Sequence, residues 1–270
     1  MVRNPPKKRH LYAEWRHLDS VIVLGTLTGE LFKRDILITC PINRLEASDV
    51  GKWLEDSESE GALLFFHAMW GQQAQFHRKN LRSIDTILGN QPDCGIQTVI
   101  SFIWHAGGAL YTRNWHQASA KGESLGWFIG WICTHFSKVN VLCHSMGSRV
   151  FEGALRTSGH HTGIGPRFNT IVLFSPDLDA AVDDPDFVRL RQAARRVVVF
   201  RHRRDRLLLL SQWAHRRERL GRSGPRGNIA VAALMSPLSV IDMTQHVRGI
   251  QNHTHLDKNW VQQCIGDKLK

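Results

Sequence analysis

Five short apolar runs punctuate this chain of 270 residues: Ala62–Phe66, Thr98–Trp104, Val139–Cys143, Thr170–Phe174 and Val197–Phe200. Stretches with helical spacing lie between them. Strands that read as nearly unbroken apolar runs are covered on both faces, and alternation with helices makes their sheet parallel. One run leads into chemistry. Val139–Cys143 is followed by His144, Ser145, Met146 and Gly147, and Ser148–Leu155 again has helical spacing. A buried strand that turns sharply into a helix, with serine at the turn, presents that hydroxyl as a nucleophile.

Other elements follow from the same reading. Val21–Leu24 and Ile36–Thr39 are rich in β-branched residues, Pro41 stops the second, and together they predict an antiparallel opening to the sheet. Ser48–Glu60 is acidic and polar and reads as a surface connection. Helices are predicted over Gln72–Leu88, over Gln117–Phe136 as one long amphipathic element, from the Ser145 turn to about Thr157, and from Pro185 onward. Two more are predicted over Leu207–Leu220 and Asp257–Lys268, with Leu238–Ile241 as a final strand after Pro237. Residues 1–20 read as a basic leading segment and 21–270 as one α/β domain.

Composition narrows the class. At 42% hydrophobic residues one large core is feasible, and 35 Lys plus Arg against 24 Asp plus Glu leave a formal charge of +11. That balance favours anionic partners, such as nucleic acid or lipid headgroups, without choosing between them. The five cysteines form no CxxC pair, and Cys40, Cys133 and Cys143 lie within apolar runs, as free thiols do in a reducing compartment. The basic start has no apolar signal core after it, and no apolar run reaches the ~18 residues of a membrane helix. A cytoplasmic protein without a transmembrane segment is expected.

A serine hydroxyl needs a base, usually a histidine oriented by a carboxylate. In enzymes with this strand–serine–helix turn the acid and then the histidine follow the serine in the chain. Asp205 comes 60 residues after Ser145, behind the Val197–Phe200 strand and ahead of a helix, and is preferred; its plainer role is a helix N-cap beside Arg203, Arg204 and Arg206. Asp177 and Asp179 are rivals behind the preceding strand. His246, His253 and His255 all lie in the window for the base. The His253–x–His255 pair has no suitably spaced third ligand, so no metal site is expected, and no cofactor. The oxyanion calls for backbone N–H donors: Met146 after the serine, with Ala68 or Met69 behind the Ala62–Phe66 strand.

These residues resemble a bacterial branch of the α/β-hydrolases catalogued as a domain of unknown function. Leu63–Ala68 is similar to its apolar strand ending in His-Gly, with Ala68 in the glycine's place. Ser101–Trp104 resembles its Ser-Trp-Pro strand, with His105 for proline. Cys143–Arg149 is similar to its Ala-His-Ser-Met-Gly elbow, Phe174–Asp179 to its Ala-Pro-Asp segment, and Asp205–Leu207 with Ser211 to the segment after its acid strand. Asn252–His255 matches the family's His-Ser-Tyr at His253, which places His253 ahead of His255. The resemblance covers about residues 61–256. It implies an α/β-hydrolase fold with a mostly parallel sheet, helices on both faces and a small or absent lid. It also implies a Ser145–Asp205–His253 triad that cleaves a carboxylic ester of a small-molecule substrate through an acyl-enzyme. Trp70, Trp104, Trp115, Trp127 and Trp131 are candidates for a pocket lining, though core positions are expected for most. The competing expectation is a non-catalytic domain on the same scaffold, using its basic surface to meet nucleic acid or an anionic membrane.

Overall fold

All five apolar runs are strands. The computed structural model describes residues 9–16, 21–28, 33–41, 46–54, 61–69, 74–106, 111–159, 168–227, 237–247, 253 and 255–270, with the backbone alone for 15, 16, 21–28, 33–41, 47 and 74. Its strands are β1 (Arg9–Arg16), β2 (Val21–Thr28), β3 (Lys33–Pro41), β4 (Gly61–Phe66) and β5 (Ile96–Ile103), then β6 (Lys138–His144), β7 (Phe168–Phe174), β8 (Ala194–Arg201) and β9 (Leu238–Asp242). They form one sheet in the order β3-β2-β1-β5-β4-β6-β7-β8-β9. Seven neighbours, from β1 to β9, run parallel. The β1–β2 and β2–β3 pairs are antiparallel, as the opening strands predict.

The helices are α1 (Ala47–Leu54), α2 (Ala74–Gly89), α3 (Tyr111–Glu123), α4 (Gly126–His135) and α5 (Gly147–Thr157), followed by α6 (Pro185–Gln192), α7 (Arg206–His215), α8 (Leu220–Ser223) and α9 (Asn259–Leu269). Successive strand residues face opposite sides, so the sheet builds two apolar layers. Leu64, Phe66, Val141, Cys143 and Leu173 pack with α1, α3, α4, α5 and α6. Leu63, Phe65, Leu142, Val172 and Phe174 pack with α2 and α9.

Four expectations change. Part of the leading segment is β1, seated between β2 and β5; its strand character is masked by polar side chains that the fold pairs, His10 with Asp85 at 2.8 Å and Glu14 with His105 at 3.1 Å. The supposed surface connection contains α1, whose Val50, Trp53 and Leu54 are buried at helical spacing among acidic residues. Gln117–Phe136 is two helices rather than one, with Ser124 and Leu125 at the break. Close packing on α5 shapes this region: a Cβ at Gly122 would lie 1.9 Å from the Val150 carbonyl oxygen. Finally, α7 stops at His215 because Arg216 turns left-handed (φ 54°), and a separate turn, α8, follows. Residues 107–110 and Val231–Ser236 lie outside the described residues.

Candidate active site

Ser145 is the hinge between β6 and α5 and has φ 54°, a left-handed conformation that costs a non-glycine residue about 1–2 kcal/mol. Its backbone is held on both sides. The amide donates to the Phe174 carbonyl at 3.0 Å, and the carbonyl accepts from the Ser148 and Asp177 amides at 3.1 and 3.2 Å. Gly147 is a steric requirement, since a Cβ there would lie 2.3 Å from the Phe66 carbonyl oxygen and 2.6 Å from that of His67. The other departure from the usual elbow, Cys143, is absorbed differently. Its side chain is fully buried in the apolar layer, and burial pushes the thiol well above its ordinary pKa.

The structure brings three of the sequence candidates together. His253 Nε2 is 2.5 Å from Ser145 Oγ, and His253 Nδ1 is 2.7 Å from Asp205 Oδ2. All three residues are buried. Asp205 follows β8 and caps α7, its Oδ1 accepting from the Leu208 amide at 3.0 Å. The helix cap and the contact to His253 are therefore made by one residue using two oxygens. With Asp205 accepting at Nδ1–H, the His253 lone pair lies at Nε2, facing the serine proton. Burial would lower the His253 pKa, but the Asp205 carboxylate and its hydrogen bond, with Asp177 farther off, outweigh it and raise the pKa above 6.5.

The rival residues are engaged elsewhere. Asp177 accepts from Ser211 Oγ at 2.7 Å and from the Tyr111 hydroxyl, with Arg219 Nε 3.4 Å away. Burial and the Asp177 charge push Tyr111 far up, so it stays a donor. Asp179 is paired with Arg217 and Arg219. His246 stacks on Trp260 with ring centroids 4.0 Å apart, and His255 lies beside His202, which together with burial lowers its pKa.

The β4 end supplies the amides of Ala68 and Met69, both lining the same cleft as Ser145 and Met146. His67 fixes that turn. Its Nδ1–H donates to the Ala68 carbonyl at 2.6 Å, while Nε2 accepts from the Trp104 amide at 3.2 Å. Because a trans peptide sets C=O and N–H on opposite sides, clamping the Ala68 carbonyl turns the Met69 N–H away from His67.

Comparison with known proteins decides the family. A model described as alpha/beta hydrolase of unknown function (DUF900) matches residues 45–267. The chain belongs to that α/β-hydrolase family. No curated protein sequence matches it. Among solved structures, the product of gene lin2722 from Listeria innocua is similar over 78% of this chain and 94% of its own, with a TM-score of 0.47 and 8% identity. A fungal esterase from Rhizomucor miehei is similar over 99% of this chain and 84% of its own, with a TM-score of 0.46 and 11% identity.

In this α/β-hydrolase the serine lies in a cleft of about 380 Å³, lined mainly by apolar side chains that include Met69, Phe76, Leu207, Leu210 and Leu256. Tyr111, the first residue of α3, closes part of it. The described tryptophans do not line it: Trp104 is core, its indole donating to the His67 carbonyl at 3.0 Å, and Trp115 lies under the Arg149 guanidinium at 3.7 Å. Trp127 and Trp131 pack against the core, and Trp70 lies outside the described residues. Among the described residues one group of three ligand-type side chains is compact enough for an ion: Glu152, Asp184 and Asp186. Arg149, Arg156 and Arg189 already pair with it. No helix among the described residues is long and apolar enough to cross a membrane.

Sequence reasoning missed His144. Its Nε2 lies 2.9 Å from the His253 carbonyl oxygen, and burial with the nearby His253 lowers its pKa to about 3. It is thus a neutral donor to the backbone of His253 itself. The elbow pattern itself contained the signal, a histidine directly before the serine.

Proposed function

We propose that the protein is a serine hydrolase of carboxylic esters, with Ser145 as nucleophile, His253 as general base and Asp205 as the carboxylate that orients it. The supporting observation is the His253 ring, bridging Asp205 Oδ2 and Ser145 Oγ through its opposite nitrogens at 2.7 and 2.5 Å. His253 Nε2 takes the serine proton as Oγ attacks the ester carbonyl carbon. The carbonyl electron pair moves to oxygen, where the Met146 amide and an Ala68 or Met69 amide donate to it. The C–O bond then breaks, His253 returns the proton to the departing alcohol, and the acyl group stays on Ser145. Water attacks next, giving a proton to His253; the Oγ–C bond breaks, the acid leaves, and the proton goes back to Ser145.

Esters are favoured over amides because alkoxide leaving groups are easier to expel. The apolar cleft suits a hydrophobic acyl group. A fluorophosphonate probe tests the reading: wild type is labelled, Ser145→Ala is not, and a series of p-nitrophenyl esters is hydrolysed by the former alone. A folded wild type that neither labels nor turns over esters would leave the non-catalytic binding domain as the better account.

A further inference from the structure

Helix α7 is turned the unusual way round. Only Leu208 and Ser211 are buried, while Leu207, Leu210 and Trp213 follow at three-residue steps on the side left to solvent, with 36%, 57% and 68% of their surface exposed. A surface helix ordinarily hides its large apolar residues and shows its polar ones. Phe76 on α2 is 42% exposed, so four of the five exposed large hydrophobics among the described residues are Phe76 and these three of α7. The grouping has an address. Phe76, Leu207 and Leu210 are also walls of the cleft that contains Ser145.

Around this patch the acids are already paired, Asp257 with Lys79 and Glu218 with Arg226, and cations are left over. Arg206 and Arg216 stand exposed at the two ends of α7 and have no ion pair among the described residues. Arg206 also sits in the first helical turn, where a cation opposes the helix dipole. An apolar surface set between free guanidinium groups, on a chain of net charge +11, matches a bilayer with anionic headgroups above an acyl interior. Nucleic acid would answer the arginines but gives no reason for three outward apolar side chains on one helix.

We infer that α7 and Phe76 form a docking surface for anionic phospholipid membranes, from which acyl-ester lipids enter the Ser145 cleft. An acyl chain drawn from the bilayer between Phe76 and Leu210 reaches the serine without crossing water. The surface stands on its own geometry; the substrate it delivers rests on the hydrolase reading above.

Flotation with sucrose-density vesicles tests the two separately. Ser145→Ala protein, which cannot consume the lipid, is mixed with vesicles of phosphatidylglycerol and phosphatidylcholine or of phosphatidylcholine alone. It is expected to float with the first and to be largely released by high salt. In that background Trp213→Glu lowers partitioning about tenfold, and Arg206→Gln and Arg216→Gln each lower it about fivefold. The same three substitutions in active protein leave kcat/KM on a soluble short-chain ester unchanged, which also reports correct folding. Absence of flotation, flotation indifferent to all three, or retention on DNA without vesicle binding would overturn the docking surface. In each case turnover of the soluble ester would leave the hydrolase reading standing, and vesicle binding with no turnover of any ester would do the reverse.

Discussion

His144 Nε2 is 2.9 Å from the carbonyl oxygen of His253, so the residue before the serine holds the backbone of the residue that reaches the serine. One strand end thereby sets both partners of the proposed proton transfer. With a pKa near 3 the His144 ring remains neutral through the working range. Replacing it with alanine removes the donor that holds the His253 carbonyl. We expect His144→Ala to lower kcat about 10- to 100-fold with KM little changed, because a small misplacement of the base costs rate rather than binding. His144→Gln, which restores a donor, should recover part of the loss, and the acidic limb of the pH profile should not acquire a second ionisation.

Asp205 carries two loads through its two oxygens, and substitutions separate them. Asp205→Asn keeps an acceptor for the Leu208 amide but no longer fixes the His253 tautomer, so kcat should fall by about 10³–10⁴ with stability nearly unchanged. Asp205→Ala should add a loss of about 1 kcal/mol from the missing cap. The pH dependence has a definite sign. As the proposed base His253 works only when neutral, and its pKa is raised, so kcat/KM should fall as pH drops through a midpoint above 6.5. In Asp205→Asn the charge that retains the proton is gone, and the midpoint of the residual rate should move to lower pH. Rate–pH profiles and urea melts of the three proteins check both halves.

Much of this was legible in the chain. Ser145, Asp205 and His253 each follow a strand end, and parallel strands bring such ends to one edge even when 108 residues separate serine from histidine. What stayed hidden is hidden for physical reasons. Strand β1 carries polar side chains whose partners, Asp85 and His105, are remote in sequence, so its pattern reads as a polar leader. The break between α3 and α4 answers to packing on α5, which periodicity does not report. The choice of His253 over His255 came from likeness to a family motif, since spacing alone left both open.

Asp177, the rival acid, is held in a buried polar cluster. It joins α3 to α7 through Tyr111 and Ser211 and stands beside Arg219, which is fully buried. Removing one charge of such a buried cluster costs about 3 kcal/mol, here because Arg219 is left with Asp179 alone and Tyr111 and Ser211 lose a charged acceptor. Asp177→Asn is therefore expected to lower unfolding free energy by about that amount while kcat on a soluble ester, measured well below the melting range, stays within a few-fold of wild type. A loss of kcat as large as that of Asp205→Asn would make Asp177 the orienting acid after all.

The two sides of the elbow should respond oppositely to mutation. On the far side Gly147 faces backbone carbonyl oxygens of Phe66 and His67, where a Cβ would intrude to 2.3 and 2.6 Å. Backbone cannot swing aside as a side-chain tip can, so Gly147→Ala must push β4 and α5 apart. Overpacking of this kind costs about 1–3 kcal/mol, and here it also displaces the Met146 amide from the Ala68–Met69 turn. Labelling of Ser145 by a fluorophosphonate should slow by at least about 100-fold, the magnitude for loss of one oxyanion donor. On the near side the Cys143 side chain is buried in the apolar layer. Cys143→Ala should cost about 1–2 kcal/mol of stability for the vacated volume and leave labelling close to the wild-type rate. Equal labelling of the two variants would show that the glycine after the serine does not control the geometry on which the reaction depends.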